Sequence, residues 1–313
     1  MNLQDNKYRF LFGPVPSRRL GLSLGVDLVP FKTCTQNCLY CQLGRDGNLV
    51  LERKVYVPPQ DVLNEIKQWL TDGAAADYIT ISGSGEPSLH SQLGRIINGI
   101  HSLTKIPVAL ITNGSLFWIP EVRKECSEAD VVLPSLDSGD PKTFEEINHP
   151  HPDLDFSKFV DGLCQFRNEY KGPIWLEVFF CEGINTSTDS ILNLKRLIEK
   201  IQPDRVQLNT AVRPTAHPDV RPVDKDKLQS IAVQLRPDAE VIADFPSKQT
   251  PEVSAASEQK ILDTLKRRPC GLEELCISLQ ISPNLAAKHL QHLQEKGQIR
   301  IENRKGKNFY CTL

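Results

Sequence analysis

Three cysteines, Cys34, Cys38 and Cys41, stand as C-x3-C-x2-C within Cys34-Thr-Gln-Asn-Cys38-Leu-Tyr-Cys41. Thiolates this closely spaced are suited to holding a soft metal centre. A four-iron cluster normally takes four cysteines, so three leave one iron open to a further ligand. Structural zinc would want a fourth ligand, and no Cys or His pair at zinc-like spacing lies nearby. A catalytic zinc of the deaminase kind would want an H-x-E element, which is missing. Inert buried thiols are the third reading. The ligand rules favour the iron–sulfur cluster over both.

Other chemistry-bearing residues sit where strand-like runs end. Ile81-Ser-Gly-Ser84-Gly85-Glu86-Pro87 combines glycines, which let backbone carbonyls approach a ligand, with a carboxylate able to accept from an ammonium group. Asn113 in Thr112-Asn-Gly-Ser115, and Ser135 and Asp137 in Pro134-Ser-Leu-Asp-Ser138, carry side chains suited to ribose hydroxyls. They serve equally well as turn formers or helix caps. Glu177 interrupts an apolar run, Ile174-Trp-Leu-Glu-Val-Phe-Phe180, and a carboxylate pointing into a core is costly unless paired. The pair Arg18-Arg19 could hold a carboxylate or phosphate bidentately, and Asn209 and Arg213 would face the same open end as substrate contacts. His149 and His151 in Asn148-His-Pro-His-Pro152 lack a third ligand, so they read as an ordinary polar loop.

The elements that must position these residues alternate. Helical patterns run near Pro59–Leu70, Leu89–Leu103, Pro120–Ala129, Phe156–Tyr170, Asp189–Ile201 and Asp224–Leu235. Strand-like runs lie at Leu24–Pro30, Tyr78–Ser82, Val108–Thr112, Val131–Leu136, Ile174–Phe180 and Val206–Leu208, with an edge candidate near Ala239–Ile242. Such alternation predicts an α/β domain with a parallel sheet and helices outside it. Six units are too few for an eight-stranded barrel, so a partial (β/α)6 barrel is expected. In such sheets ligands bind at the carboxyl ends of the strands, where the motifs above fall.

With Tyr40 just before the last cysteine, the triplet resembles the hallmark of the radical S-adenosylmethionine (SAM) superfamily. The resemblance implies a [4Fe–4S] cluster on Cys34, Cys38 and Cys41, with SAM chelating the open iron. An electron from the cluster then cleaves SAM to methionine and a 5′-deoxyadenosyl radical, which takes a hydrogen atom from substrate. It implies an electron donor of the flavodoxin or ferredoxin type. It also makes Tyr40, Ser84, Gly85, Glu86, Pro87, Asn113, Ser135, Asp137 and Glu177 the expected SAM contacts. Ser84 stands where the family's Gly-Gly-Glu-Pro element has its first glycine. The first 245 or so residues look most like a group related to the tRNA-modifying 4-demethylwyosine synthases. Those synthases carry a second cluster on upstream cysteines, and no cysteine precedes Cys34 here.

The chain has 313 residues, 40% hydrophobic and 24% charged, ordinary for one large or two smaller globular domains. No apolar run is long enough to span a membrane and the first residues form no apolar signal region. Nine cysteines, scattered apart from the triplet, suit a reducing compartment, so a cytoplasmic protein is expected. Net charge is −2, but residues 257–313 hold ten Lys/Arg against six Asp/Glu, leaving 27 against 33 for the rest. The tail is basic and the body acidic.

That tail follows a linker-like stretch at 246–257 and separates a domain at 1–245 from one at 258–313. Three helices, near Glu258–Arg267, Leu272–Leu279 and Pro283–Lys296, precede a hairpin over Gln298–Thr312. They resemble a winged helix-turn-helix domain. Lys288 and His292 on the third helix, and Arg304, Lys305 and Lys307 at the hairpin turn, are the candidate nucleic-acid or peptide contacts. Three functions are compatible with this layout: modification of RNA such as tRNA, modification of a peptide or protein gripped by the tail, and a cluster-bearing transcription regulator.

Overall fold

The computed structural model describes residues 8–17, 19–44, 47–212, 215–243, 258–279, 281, 283–304 and 307–313. The chain opens with two antiparallel strands, β1 (Leu11–Ser17) and β2 (Gly21–Val26). Two short strands follow, β3 (Thr33–Cys34) and β4 (Asn48–Leu49), which bracket the cysteine loop and pair with each other. Helix α1 (Pro59–Thr71) then leads to β5 (Tyr78–Ile81), a single 3-10 turn over Pro87–Leu89, α2 (Leu93–Leu103) and β6 (Val108–Thr112). After these come α3 (Pro120–Cys126), β7 (Val131–Pro134), α4 (Pro141–Asn148), α5 (Phe156–Glu169) and β8 (Trp175–Phe180). The unit closes with α6 (Thr188–Ile201), β9 (Arg205–Thr210), α7 (Lys225–Leu235) and β10 (Glu240–Val241).

Strands β2, β5, β6 and β7 pair in parallel, as do β8, β9 and β10. Two parallel bridges, Val132 to Ile174 and Ser135 to Glu177, join the two groups across β7 and β8. Spatial order thus follows chain order, each helix crossing back over the sheet to the next strand, the connection that parallel neighbours need. The strands are buried on both faces, which is why β7 reads Val-Val-Leu-Pro with every residue buried. The helices show one apolar face each: α1 buries Val62, Ile66 and Trp69 at helical spacing and starts on Pro59, whose missing N–H costs nothing there. Asp140, Asp155, Ser187 and Asp224 cap α4, α5, α6 and α7 through side-chain bonds to backbone N–H groups.

Three sequence expectations change in detail. The first parallel strand is Gly21–Val26 rather than Leu24–Pro30, and the proline-rich approach is a strand, β1. Its register shifts between Phe12 and Val15, and at a sheet edge prolines and a bulge are tolerated. The short helix α4 follows β7 where the sequence shows mainly turn formers.

Residues 258–313 form α8 (Glu258–Arg267), α9 (Leu272–Leu279), α10 (Pro283–Glu295) and the antiparallel pair β11 (Ile299–Arg304) and β12 (Lys307–Thr312). They enclose a core of their own, built on Ile261, Leu265, Leu275, Ile281, Leu290, Leu293 and Ile299. Gly297, in the left-handed region at φ 64°, turns the chain from α10 into β11. The C-terminal unit packs on the first through α9 and α8 against β1.

Candidate metal centre

Cys34 ends β3, and Cys38 and Cys41 follow on a loop whose backbone is held from several sides. Asn37 N–H donates to the Asn148 and His149 carbonyls, Leu39 N–H to Ile147 O, and Cys41 N–H to Cys38 O. His151 N–H, Ala216 N–H and His217 N–H donate to the carbonyls of Thr35, Cys41 and Leu39. The loop's conformation is therefore set by the chain after β7 and after β9. The Asn-His-Pro-His-Pro segment, which the sequence offers as a plain polar loop, is one of its clamps.

The sulfurs face amide donors. Asn113 Nδ2 lies 3.5 Å from Cys34 Sγ and Asn148 Nδ2 lies 3.4 Å from Cys38 Sγ, geometry that stabilises a thiolate. Burial, then the negative charge of Glu86, pushes the Cys34 thiol up to about 12. Burial, then Asp137, raises Cys38, and burial raises Cys41 although the Lys32 ammonium pulls it back. Lys32 is 2% exposed and its Nζ has no hydrogen-bond partner.

Among the described residues, no three His, Cys, Asp or Glu side chains converge closely enough for a single metal ion. Zinc, with Zn–S bonds of about 2.3 Å, would draw its sulfurs within about 4 Å of one another. Three thiols on one loop, amide donors at two of them and a buried ammonium fit a larger, thiolate-bound anionic centre such as a four-iron cluster.

Gly85 is bridged to Thr33, the residue before the first cysteine, and Glu86 N–H donates to Thr33 O at 3.0 Å. A Cβ added at Gly85 would overlap that carbonyl oxygen and stand 2.9 Å from Val29 Cγ2, so only glycine fits. Ser84 donates from both N–H and Oγ to Asp27, and its carbonyl accepts from Lys32 N–H. Pro87 starts the 3-10 turn that follows.

Glu86 is 2% exposed and accepts from Ser88 N–H (2.9 Å), Thr112 Oγ1 (2.6 Å) and Asn113 N–H (2.7 Å). Burial raises its pKa and these bonds oppose the rise.

Asn113 and Asp137, expected at ribose hydroxyls, are both bonded to the cysteine loop and its surroundings. Asn113 Nδ2 also reaches Thr35 Oγ1 at 2.7 Å, and its Oδ1 accepts from Ser115 N–H. Asp137 accepts from Tyr40 Oη, from Asn148 Nδ2 at 2.7 Å and from Phe179 N–H at 2.8 Å. Burial lifts its pKa to about 6 against the pull of those donors. The Tyr40 ring stacks on Phe179 with centroids 4.0 Å apart, which fixes the residue between Cys38 and Cys41.

A cavity of about 400 Å³ opens beside this loop. Ser23, Thr80, Ser82, Gly85, Ser135, Glu177 and Asn209 line it from successive strands, with Gln42 from the cysteine loop. Arg19, Glu177 and Asn209, three separate expectations, meet there: Arg19 forms an ion pair with Glu177, whose other oxygen accepts from Asn209 Nδ2 at 3.1 Å. The interior carboxylate is thereby paired. Arg18, Arg213 and Lys305 lie outside the described residues, as does the side chain of Lys288 on α10. His292 and Lys296 both bind Glu258 of α8, at 2.5 and 3.0 Å, so His292 is occupied within the chain. Lys307 is exposed and Arg304 half-buried, at the β11–β12 turn.

Sequence reasoning missed Asp27, Lys32, Thr33, Asn148 and Phe179. Each acts through another residue, and none belongs to a spaced motif that a single sequence can display.

A family model described as the radical SAM superfamily matches residues 28–194. The chain is 38% identical over 299 residues to a Brachyspira hyodysenteriae protein named GTPase Obg, covering 95% of this chain. It spans only 44% of that protein's length. It is 32% identical over 305 residues to a UPF0026 protein of Helicobacter pylori, covering 96% of this chain and 97% of that one. Among solved structures, that of TYW1 with a lysine-pyruvate adduct bound matches 73% of this chain and 76% of its own, with TM-score 0.54 and 18% identity, a likeness of fold.

Proposed function

From membership of the radical SAM superfamily, to which this chain belongs, we propose a radical SAM enzyme that modifies RNA. The superfamily's cofactors, a [4Fe–4S] cluster and SAM, are its cofactors. When bound, they supply reductive cleavage of SAM to a 5′-deoxyadenosyl radical. Cys34, Cys38 and Cys41 are read as the cluster ligands, and the observation that carries this is the locked Thr33–Gly85 contact with amide donors aimed at two of the sulfurs. Gly85 offers backbone to SAM, and Glu86 its carboxylate. Asn113, Asp137 and Asn148 hold the loop, and the apolar walls around it exclude water from a reactive centre.

The parallel sheet, whose inward residues line one cavity, is read as a partial (β/α)6 barrel over residues 1–245. The unit at 258–313, with its separate core, is read as a winged helix-turn-helix that brings substrate to it. The basic balance of that unit and the exposed Lys307 at the β11–β12 turn favour a nucleic acid, although His292 and Lys296 are both taken up by Glu258. The electron would come from a flavodoxin- or ferredoxin-type donor. No helix among the described residues is long and apolar enough to cross a membrane.

The test is anaerobic reconstitution followed by dithionite and SAM, with release of 5′-deoxyadenosine expected. Binding of tRNA, duplex DNA and peptide should then be compared across salt concentrations. Preference for duplex DNA with no 5′-deoxyadenosine would replace the enzyme by a regulator, and peptide binding alone would replace the RNA.

A further inference from the structure

The cavity beside the cysteine loop is not built by the strands alone. Thr264, Arg267 and Arg268, at the end of α8, line it together with Ser23, Gly85 and Glu177. The C-terminal unit therefore supplies part of the chamber's wall, and it supplies cations.

The three arginines of this chamber differ in what they already hold. Arg19 is paired with Glu177. Arg267 lies over the Phe12 ring, 4.6 Å from its centroid, and its Nε is 3.9 Å from Asp27 Oδ2, with Asp263 also near. Arg268 has no such partner: its Nη2 is buried and makes no hydrogen bond. A guanidinium carries five donors in a rigid fork suited to an oxyanion, and leaving one buried and unused is costly.

We propose that Arg268 binds a phosphate group of the substrate inside this chamber, with Arg267, anchored by Asp27 and Phe12, setting its direction. The arrangement makes the C-terminal unit a component of the substrate site as well as a delivery module. It also ties that unit to the cofactor loop, because Asp27 holds both Arg267 and the N–H and Oγ of Ser84, next to Gly85. The inference rests on the RNA-modifying reading above for the source of the phosphate, and the chemistry is shared by a free phosphate or a small phosphorylated molecule.

The test uses the full chain carrying its cluster. Phenylglyoxal labelling of arginines, mapped by peptide mass, should show Arg268 protected by inorganic phosphate and by a nucleoside 5′-monophosphate, and not by the parent nucleoside or acetate. Protection by a short RNA strand as well assigns the phosphate to nucleic acid, and protection by the small phosphates alone assigns it to a small substrate. Arg268→Ala should weaken binding of the protecting ligand about tenfold, the loss of one charge-assisted contact, and Arg268→Lys should recover part of it.

The variant should still show wild-type cluster absorbance and wild-type far-ultraviolet circular dichroism. Labelling of Arg268 indifferent to phosphate, or unchanged binding by Arg268→Ala, overturns the proposal. Absence of 5′-deoxyadenosine from the wild-type chain would instead sink the enzymatic reading, and the labelling result would still decide the anion site.

Discussion

Gly85 and Thr33 lie back to back, their strands bridged so closely that a single methyl on Gly85 would collide with the Thr33 carbonyl. The clash is with backbone, which cannot rotate away. Gly85→Ala should displace the loop bearing Ser84 and Glu86 from the first cysteine. We expect iron incorporation and SAM affinity to fall together, at least tenfold, in anaerobic reconstitution followed by equilibrium dialysis with labelled SAM. Retention of both at wild-type levels would show that the contact is not needed.

Cys38→Ala should remove one of three proposed ligands and abolish the four-iron absorbance, whereas Cys126→Ser should keep it, since Cys126 ends α3 with no exposure. Iron analysis per chain separates the two variants: about four per chain are expected in the wild type and Cys126→Ser. A full complement in Cys38→Ala would exclude the assigned ligand set.

Asn148 joins Cys38 to Asp137 through one amide group. Asn148→Ala should leave the ligands in place and still weaken cluster retention about tenfold to a hundredfold, the usual cost of losing an outer support. The midpoint potential should also move negative, because a donor to the sulfur has gone, and a redox titration followed by electron paramagnetic resonance would read it.

Arg19 and Glu177 are largely buried, at 12% and 15% side-chain exposure. Removing either alone strands the other charge, so Arg19→Ala and Glu177→Ala should each destabilise the chain by about 3 kcal/mol. The double variant should lose less than the sum of the two. Additive losses in urea melts would mean that the pair is not coupled.

Glu258 is drawn down to about 2 from an ordinary 4.5, first by the His292 bond and then by Lys296. Its folded pKa is depressed, so its contribution to stability is present above about 4.5 and is lost as pH falls toward about 2. His292→Ala should move the Glu258 titration back toward its ordinary value in a carbon-detected nuclear magnetic resonance experiment. An unmoved midpoint would assign the shift to Lys296 alone.

The alternation of strands and helices, and hence the parallel sheet, was readable because periodicity is local and β6, α1 and α5 differ from it by a residue at most. β1 escapes a sequence reading because Pro14 and Pro16 suggest turns, whereas the sheet edge accepts them. The cysteines and Gly85 announced themselves by spacing. Asp137 and Asn113 did too, as polar strand ends, but nothing in their motifs shows that they also bond Tyr40, Asn148 and Thr35. A polar side chain at a strand end can face a ligand or the neighbouring loop, and only the fold decides which. Asp27 and Asn148 carry no pattern because their partners lie 57 and 110 positions away.

The cysteine loop is suspended by backbone bonds to residues 147–151 and 216–217, none of which involves a sulfur. Unlike a zinc finger, which collapses when stripped, this segment owes its shape to its neighbours rather than to its cargo. Chelation should leave the far-ultraviolet circular dichroism intact, and iron and sulfide can be installed after the chain has already folded.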